Sequence, residues 1–500
     1  MRGRQKAGRE NCGEHSQYSK IQKGLTRSGL PSLFPSLKNF IMKVFNYFNV
    51  LLTLLLFCLL VTVSCRKEHD KQPLEQTAPA SAVKENGHLK QTKEFQSDVA
   101  QKWQELQLRI LYQPQGVNPY GLNGVRNFAY CGIALYESVV PGMPAYQTLH
   151  GQLTDMPEMP STEPGTAYHW PTAANAALAY MNRHFYTASS TPAFQASIDS
   201  LENVLNSQYE SDINNSETFQ RSKEFGTTVA ERIFQWSTND GSLTVYPAYV
   251  PAAFPLWNNS APNPPAIVGP YWGNNRSFVA GSTTGTASPL PPTYSEVAGS
   301  PYYEMVKEVY DISQALTDEQ KATALYFNDE PGYKAGTHYI SIFSQVMHTE
   351  NLSLDMYALA QVKTAVSMAE SMINCWKIKY TVLQDRPTRF IRNVLGHSTW
   401  SSFIPLHPHP EFPSGHTQNA GAFAAAMTSI FGDNYHFTLH TYDSKGMAPR
   451  SYGSFNEMAA DIGKARVYGG IHYTYSCEEG TKQGQRIANN ILSTLKFIKD

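Results

Sequence analysis

The chain has 500 residues but little charge. Charged side chains make up 16% of it and the formal net charge is -1, whereas roughly 25% is usual in soluble proteins. Proteins that bind nucleic acid concentrate basic charge against the phosphates, so no nucleic-acid partner is expected. Strands and helices do not alternate regularly, which disfavours an α/β domain. No fixed-period repeat is present either, which disfavours a solenoid.

Cysteine is scarce, and its spacing matches neither a zinc site nor a small disulfide framework. Six cysteines are present, and only three of them follow Cys65: Cys131, Cys375 and Cys477. A regular disulfide scaffold is therefore not predicted.

Long apolar runs are absent except for Val50 to Val63. This run follows Met42-Lys43 and precedes Ser64-Cys65, the order of a basic start, an apolar core and a small residue before a cleavage point. The segment resembles a bacterial lipoprotein signal, which implies that Cys65 is lipidated and becomes the mature N-terminus. We therefore predict an exported, membrane-anchored lipoprotein in the periplasm or at the outer membrane, with a simple membrane anchor as the alternative.

Composition divides the rest of the chain. Residues 1–41 are polar, basic and patternless, and Met42 makes a better start, so they are interpreted as an upstream extension of the reading frame. Residues 42–64 form the predicted signal peptide. Residues 65–94 have the composition of a flexible tether. Residues 95–500 are predicted to be a single catalytic domain, with a helical N-terminal half at 95–335 and an oxyanion-site half at 336–500.

Helical periodicity dominates this domain, so an all-α helical bundle with long irregular loops is predicted. Val99, Trp103, Leu106 and Ile110 recur at three- and four-residue steps. Further helices are predicted at 128–139, 172–185, 194–205 and 219–236. Residues 237–300 are rich in Pro, Gly, Asn and aromatics and are predicted to be a long loop, in which Trp272 and Arg276 either pack on the bundle or serve the function.

Three short pieces in the last third of the chain combine into one strong signal: Lys379-x6-Arg386-Pro387, Pro413-Ser414-Gly415-His416 and Arg466-x5-His472. Each piece alone is weak. A buried stripe places Lys379 near the end of a helix. Arg386-Pro387 is interpreted as a helix stop, because the residue before proline is pushed out of the α region.

The second and third pieces add an anion cradle. Ser414 and Gly415 precede an alanine-rich helix predicted at 417–431, whose first N–H groups and dipole favour an oxyanion. His416 is placed to exchange a proton with that anion. A capping box at Ser454 predicts a helix that ends near Arg466. Gly469-Gly470 then allows His472 to turn back into a site suited to a multiply charged oxyanion.

These pieces resemble the signature of the vanadium haloperoxidase and type 2 phosphatidic acid phosphatase superfamily, from about residue 336 to 495. The resemblance implies a vanadate cofactor with His472 as its axial metal ligand and His416 as the acid-base residue. It implies that the equatorial oxygens are held by Lys379, Arg386, Ser414, Gly415 and Arg466. Hydrogen peroxide, polarised by Lys379, would then oxidise halide to hypohalous acid, with a small organic acceptor as a further partner.

The resemblance offers one hint about halide preference, at His409, seven residues before His416. Relatives carry Phe or His there, and histidine resembles the bromoperoxidases, so His409 is the candidate halide-site residue. Bromide or iodide is favoured.

Two alternatives remain open. The first is a phosphatase acting on phosphate monoesters, in which phosphate replaces vanadate, His472 is the nucleophile and His416 protonates the leaving alcohol. Many relatives carry Asp four residues after that histidine, whereas this chain has Ser476, with Glu478 and Glu479 nearby. This departure favours the haloperoxidase. The second alternative, a non-catalytic surface-binding lipoprotein, gives no reason for the three ordered pieces.

Overall fold

The computed structural model describes residues 90–112, 121–186, 192–259, 265–329, 332–333 and 336–499. The predictions for residues 1–89, which are the upstream extension, the signal peptide, the lipidation of Cys65 and most of the tether, lie outside the described residues and stay predictions.

The folded body begins before the predicted boundary at Phe95. Residues Thr92–Glu94 form a 3-10 turn, and buried Thr92 donates through Oγ1 to the carbonyl of Val139 at 2.8 Å. The carbonyl of Lys90 accepts from the indole of Trp170 at 3.0 Å. The tether predicted through residue 94 is therefore too long at its C-terminal end. Composition could not reveal this, because a small polar residue is buried cheaply once its hydroxyl has a partner.

The N-terminal half is helical, as predicted. Its helices are α1 (Asp98–Leu111), α2 (Gly121–Val139), α3 (Trp170–Tyr186), α4 (Pro192–Ile213) and α5 (Ser216–Thr238). Helices α3 and α5 approach closely at Gly226, where an added Cβ would lie 2.0 Å from the carbonyl oxygen of Ala173. Only glycine permits this contact between the two backbones.

The predicted long loop follows α5, and in its described parts it contains one 3-10 turn, Trp272–Asn274. Trp272 is partly buried against the main core. Arg276 donates to the hydroxyl of Tyr130 and to the carbonyl of Trp236, both at 3.1 Å. These contacts support packing roles for Trp272 and Arg276, because they fasten the loop to α2 and α5.

The chain after residue 300 carries the longest described helix and one small strand pair. Its elements are α6 (Pro301–Gln314), α7 (Asp318–Tyr326), α8 (Thr337–Glu350), α9 (Leu354–Val382), α10 (Pro387–Asn393), α11 (Gly415–Phe431), β1 (Phe437–Leu439), β2 (Arg450–Tyr452), α12 (Phe455–Tyr468) and α13 (Thr474–Thr494). Strands β1 and β2 pair antiparallel, with Thr438 opposite Ser451.

The prediction that Arg386-Pro387 stops a helix is wrong. Helix α9 has already ended at Val382, and Leu383 adopts a left-handed conformation with φ 54°. Arg386 is extended and caps α10, in which Pro387 is the first residue. Proline suits this position because the first helical N–H has no intrahelical partner to lose.

Close helix packing supports the C-terminal half. An added Cβ would lie 2.0 Å from the carbonyl oxygen of Thr481 at Gly421 of α11, and 1.9 Å from that of Gln418 at Gly484 of α13. The two helices therefore pack backbone against backbone, which fixes the start of α11. The thiols Cys131, Cys375 and Cys477 are buried and free. Within the described residues, no helix is long and apolar enough to cross a membrane.

Candidate active site

The three sequence pieces converge where several helices end. Lys379 lies in the last turn of α9, Arg386 caps α10, and Ser414 caps α11. Arg466 lies in the last turn of α12, and His472 stands between α12 and α13. These residues are buried. The fold thus places cations, a helix start and histidines, separate in sequence, around one interior position.

Lys379 is fully buried, and its ammonium is held by main-chain oxygens. Nζ donates to the carbonyls of Pro410 and Glu411, at 2.8 and 2.7 Å. Burial lowers the pKa of Lys379 to about 8, and the positive charge of Arg386 contributes. Lys379 is therefore cationic at neutral pH and becomes neutral more easily than a surface lysine.

Arg386 links two of the predicted histidines. One terminal nitrogen donates to the carbonyl of Ile471 at 2.7 Å and to Nε2 of His472 at 3.1 Å. The other lies 3.2 Å from Nδ1 of His409. Burial lowers the pKa of Arg386 to about 10, so the guanidinium stays charged at neutral pH.

Arg466 is fully buried and contacts a different histidine. Its two terminal nitrogens donate to the carbonyl of Phe327 at 2.5 Å and to Nε2 of His407 at 3.0 Å. Phe327 belongs to the N-terminal half of the predicted division, so the oxyanion-site half does not build the site alone.

The electrostatics favour an anion. Lys379, Arg386 and Arg466 bring positive charge into a low-dielectric interior, where like charges repel strongly. Two buried carboxylates, Asp329 and Glu411, offset part of that charge. Burial raises the pKa of Glu411 to about 7 even though Arg386 and Lys379 lower it. The Glu411 carboxyl is therefore only partly ionised at neutral pH and does not fully offset the positive charge of the three cations. A multiply charged oxyanion would neutralise the remaining positive charge.

The start of α11 supplies a cradle for such an anion. The Ser414 hydroxyl caps the helix by accepting from the N–H of Thr417 at 3.5 Å, and its own hydrogen can still be donated. At Gly415 a Cβ would come within 3.1 Å of the Trp376 ring and 3.7 Å of Cε of Lys379. A larger residue would thus fill the space beside Lys379. The first N–H groups of a helix favour an anion there.

His416 is held by a carboxylate that sequence analysis missed. Its Nε2 lies 2.8 Å from Oδ2 of Asp329, and Oδ1 of Asp329 lies 2.8 Å from Nδ1 of His338. Burial and the charge of Arg466 lower the pKa of His416 to about 4, although Asp329 raises it. Burial raises the pKa of Asp329, but His338 and His416 together lower it to about 2. No motif marks Asp329 in the sequence.

His472 also has a carboxylate partner that was missed. Nδ1 lies 2.6 Å from Oε1 of Glu411, and both residues are at most 1% exposed. Burial, with Arg386 and Lys379 nearby, lowers the pKa of His472 well below its usual value. Glu411 lies three residues before Ser414, just ahead of the second sequence piece, and this position could have signalled its role.

The candidate halide residue His409 belongs to a row of histidine rings. Its ring stacks on that of His407 with centroids 5.7 Å apart, and His407 stacks on His416 at 6.0 Å. Burial and the charges of Lys379 and Arg386 lower the pKa of His409 well below its usual value. His409 is therefore neutral and lies against the cations, whereas His407, between it and His416, was missed.

The acidic residues near Ser476 do not turn toward His472. Ser476 is buried, and its carbonyl accepts from the N–H of Ser414 at 3.4 Å. Glu479 pairs with Lys482 at 2.9 Å, and Glu478 lies 4.0 Å from the same ammonium. The carboxylate on His472 therefore comes from the loop before α11.

Comparisons with known proteins find similar folds. The family model described as the VCPO second helical-bundle domain matches residues 360–499. A crystal structure described as the first bacterial vanadium-dependent iodoperoxidase is similar with a TM-score of 0.72 and 26% identity, over 81% of this chain and 98% of that one. These matches support the assignment of the chain to the vanadium haloperoxidase and type 2 phosphatidic acid phosphatase superfamily. The comparison with curated proteins finds no match.

More distant members of the superfamily share the fold. Holo and apo structures of a bacterial vanadium-dependent chloroperoxidase are similar with TM-scores of 0.56 and identities of 18% and 17%. They cover 75% and 74% of this chain, and 91% and 92% of their own chains. The helical superfamily fold therefore extends well beyond the matched residues 360–499.

Proposed function

We propose that this superfamily member is a vanadate-dependent haloperoxidase that oxidises iodide or bromide with hydrogen peroxide to the hypohalous acid. The observation that carries the proposal is the position of His472, whose Nε2 lies beside the guanidinium of Arg386 in a buried site with two further cations. The lone pair on Nε2 of His472 can serve as the nitrogen ligand of an oxyanion, and the surrounding cations can neutralise the negative charge of that oxyanion.

The residues present fit vanadate. His472 would be its nitrogen ligand, and its oxygens would be held by Lys379, Arg386, Ser414, Gly415 and Arg466. When bound, vanadate would supply a Lewis-acid centre that activates hydrogen peroxide toward halide. Lys379, cationic at neutral pH, would draw negative charge toward its ammonium, and burial excludes water that would weaken this effect.

His416 is proposed as the acid-base residue. Asp329 accepts a hydrogen bond from Nε2 of His416 when Nε2 carries the hydrogen of the neutral ring. Nδ1 then has a free lone pair and can accept a proton. A neighbouring anion stabilises the imidazolium and raises the pKa of His416 from the value of about 4 that burial imposes. His416 can thus take up a proton when peroxide is bound and return it later.

Two observations support iodide or bromide as the halide. The relative at 26% identity is described as an iodoperoxidase. The neutral ring of His409 lies 3.2 Å from a nitrogen of Arg386 and packs near Trp376, with centroids 5.2 Å apart. A polarisable halide suits a position between an aromatic ring and a cation. The small organic acceptor of the hypohalous acid is a further partner in this proposal.

Oxidation of iodide and bromide by hydrogen peroxide, measured with and without added vanadate, tests the proposal. We expect vanadate-dependent turnover that phosphate suppresses, and its loss in His472→Ala. The matched control is His440→Ala, a histidine paired with Asp443 on the surface. Halide oxidation that is independent of vanadate, or unchanged in His472→Ala, would contradict the proposal.

A second candidate function is hydrolysis of phosphate monoesters at the same site. The Glu411 carboxylate on Nδ1 of His472 favours it, because such a partner also orients a nucleophilic imidazole. His472 would form a phosphohistidine, and His416 would protonate the leaving alcohol. Ester hydrolysis inhibited by vanadate, with a phosphohistidine trapped by acid quench, would support this function in place of halide oxidation.

Export is the last part of the proposal. The signal-like residues 42–64 and Cys65 support a lipid-anchored protein in the periplasm or at the outer membrane. Labelling cells with a fatty-acid analogue should modify the wild-type protein and not Cys65→Ala, with Cys58→Ala as the control. Equal labelling of Cys65→Ala would contradict the anchor.

A further inference from the structure

Glu411 is a fully buried carboxylate placed directly behind His472. Oε1 lies 2.6 Å from Nδ1 of His472 and also accepts the N–H of Tyr473 at 3.2 Å. The loop around Glu411 is held by the main chain as well, since its N–H donates to the carbonyl of Gln384 at 2.9 Å and its carbonyl accepts from Lys379 at 2.7 Å. These main-chain hydrogen bonds fix the position of the Glu411 side chain beside His472.

These contacts determine which nitrogen of His472 carries the hydrogen. The guanidinium of Arg386 has only donors, so the Nε2 that it faces at 3.1 Å must present a lone pair. The hydrogen of the neutral ring is then on Nδ1 and is donated to Oε1 of Glu411. This is the tautomer in which Nε2 can bind an oxyanion centre.

The position that supplies a carboxylate in many relatives does not do so here. Four residues after His472 stands Ser476, whose carbonyl accepts from the N–H of Ser414. Glu411 lies 61 residues before His472 in sequence. The carboxylate that contacts His472 thus comes from the loop before α11 and not from α13.

We propose that Glu411 is the positioning residue of the site and holds His472 in the tautomer with Nε2 unprotonated. In this role it replaces the aspartate that many relatives carry at the position of Ser476. The inference rests on the proposed function only in that His472 must bind an oxyanion. Glu411 also places a negative charge among Lys379, Arg386 and Arg466, so its removal affects both the orientation of the ring and the charge around it.

The first test compares two buried carboxylates in the full chain. Glu411→Gln removes the charge with little change in shape. Glu370→Gln removes a carboxylate at another buried residue, which is 1% exposed. Glu370 accepts hydrogen bonds from Ser282 at 2.7 Å and from the N–H of Phe278 at 2.6 Å, and these contacts hold the long loop. The dissociation constants for orthophosphate and orthovanadate are measured by titration calorimetry. We expect Glu411→Gln to weaken binding about 10- to 100-fold, with Glu370→Gln close to wild type.

The second test observes the wild-type protein directly and uses a variant only to assign signals. Nitrogen NMR of histidine-labelled wild-type protein, with the His472 signals assigned by their loss in His472→Asn, reports which ring nitrogen is protonated. We expect Nδ1. A proton on Nε2, or a Glu411→Gln variant that binds both anions as tightly as wild type, would overturn the proposal.

A rescue variant separates positioning from general support of the loop. Adding Ser476→Asp to Glu411→Gln places a carboxylate at the position where many relatives carry aspartate. Recovery of phosphate affinity in this double variant would support the proposal that Glu411 takes the role of that aspartate. None of these measurements requires halide oxidation. If wild-type protein bound neither phosphate nor vanadate, the proposed function would fail, whereas a proton on Nδ1, lost from that nitrogen in Glu411→Gln, would still support the positioning role of Glu411.

Discussion

Asp329 joins His416 to His338: its two carboxylate oxygens lie 2.8 Å from Nε2 of His416 and 2.8 Å from Nδ1 of His338. The relationship connects the acid-base candidate to an interior histidine on α8. A buried carboxylate between two imidazoles holds the orientation of both rings.

The first prediction concerns Asp329→Asn. Asp329 raises the pKa of His416, so its neutralisation should move the limb of the pH profile that reports His416 to lower pH. Turnover should fall about tenfold as the ring loses its orientation. The pH dependence of kcat/KM checks this, with Asp443→Asn, which disturbs an exposed His–Asp pair, as the control. An unshifted profile would show that Asp329 acts on stability alone.

The second prediction concerns pH and anion affinity. Burial lowers the pKa of Lys379 to about 8, so the site loses a positive charge as pH rises through that value. The affinity of the protein for phosphate should fall above pH 8, approaching tenfold per pH unit if binding requires the ammonium. Lys379→Arg keeps the charge at this pH and should flatten the dependence, as calorimetry from pH 7 to 10 would show. An equally steep fall in Lys379→Arg would assign the effect to another group.

The third prediction concerns the cradle at Gly415. A Cβ there would lie 3.1 Å from the Trp376 ring, so Gly415→Ala should displace that ring and cost about 1 kcal/mol or more of stability. Oxyanion affinity should fall as well. Gly463→Ala is the control, because its Cβ would make ordinary contacts of 3.6 Å or more. Denaturant unfolding and phosphate titration of both variants check this, and a Gly415→Ala variant matching the control in both would refute it.

The fourth prediction concerns the halide. His409→Phe removes the ring nitrogen that lies 3.2 Å from Arg386, so the guanidinium loses one partner beside the proposed halide position. Bromide oxidation should fall several-fold more than iodide oxidation, because iodide is the more easily oxidised halide. The ratio of the two rates is measured at saturating peroxide, with His397→Gln, whose ring stacks on Tyr310, as the control. An unchanged ratio would remove His409 from halide selection.

The sequence by itself determined the elements that depend on local patterns. Apolar spacing located the helices, because a buried helix face recurs every three or four residues. Ser454 and Glu457 indicated the start of α12, and Ser454 caps it by accepting from the N–H of Glu457 at 3.0 Å. The three short pieces also indicated that Lys379, Ser414 and His472 share one site.

Only the tertiary structure decided how those residues are held. Asp329 reaches His416 across 87 residues and Glu411 reaches His472 across 61, and neither pairing leaves a periodic trace in the sequence. The sequence around Ser476 therefore gave no indication that Glu411, from another segment, contacts His472. Helix formation is largely local, whereas a hydrogen bond between buried side chains depends on where the whole chain packs, and that is set by the core and not by neighbours in sequence.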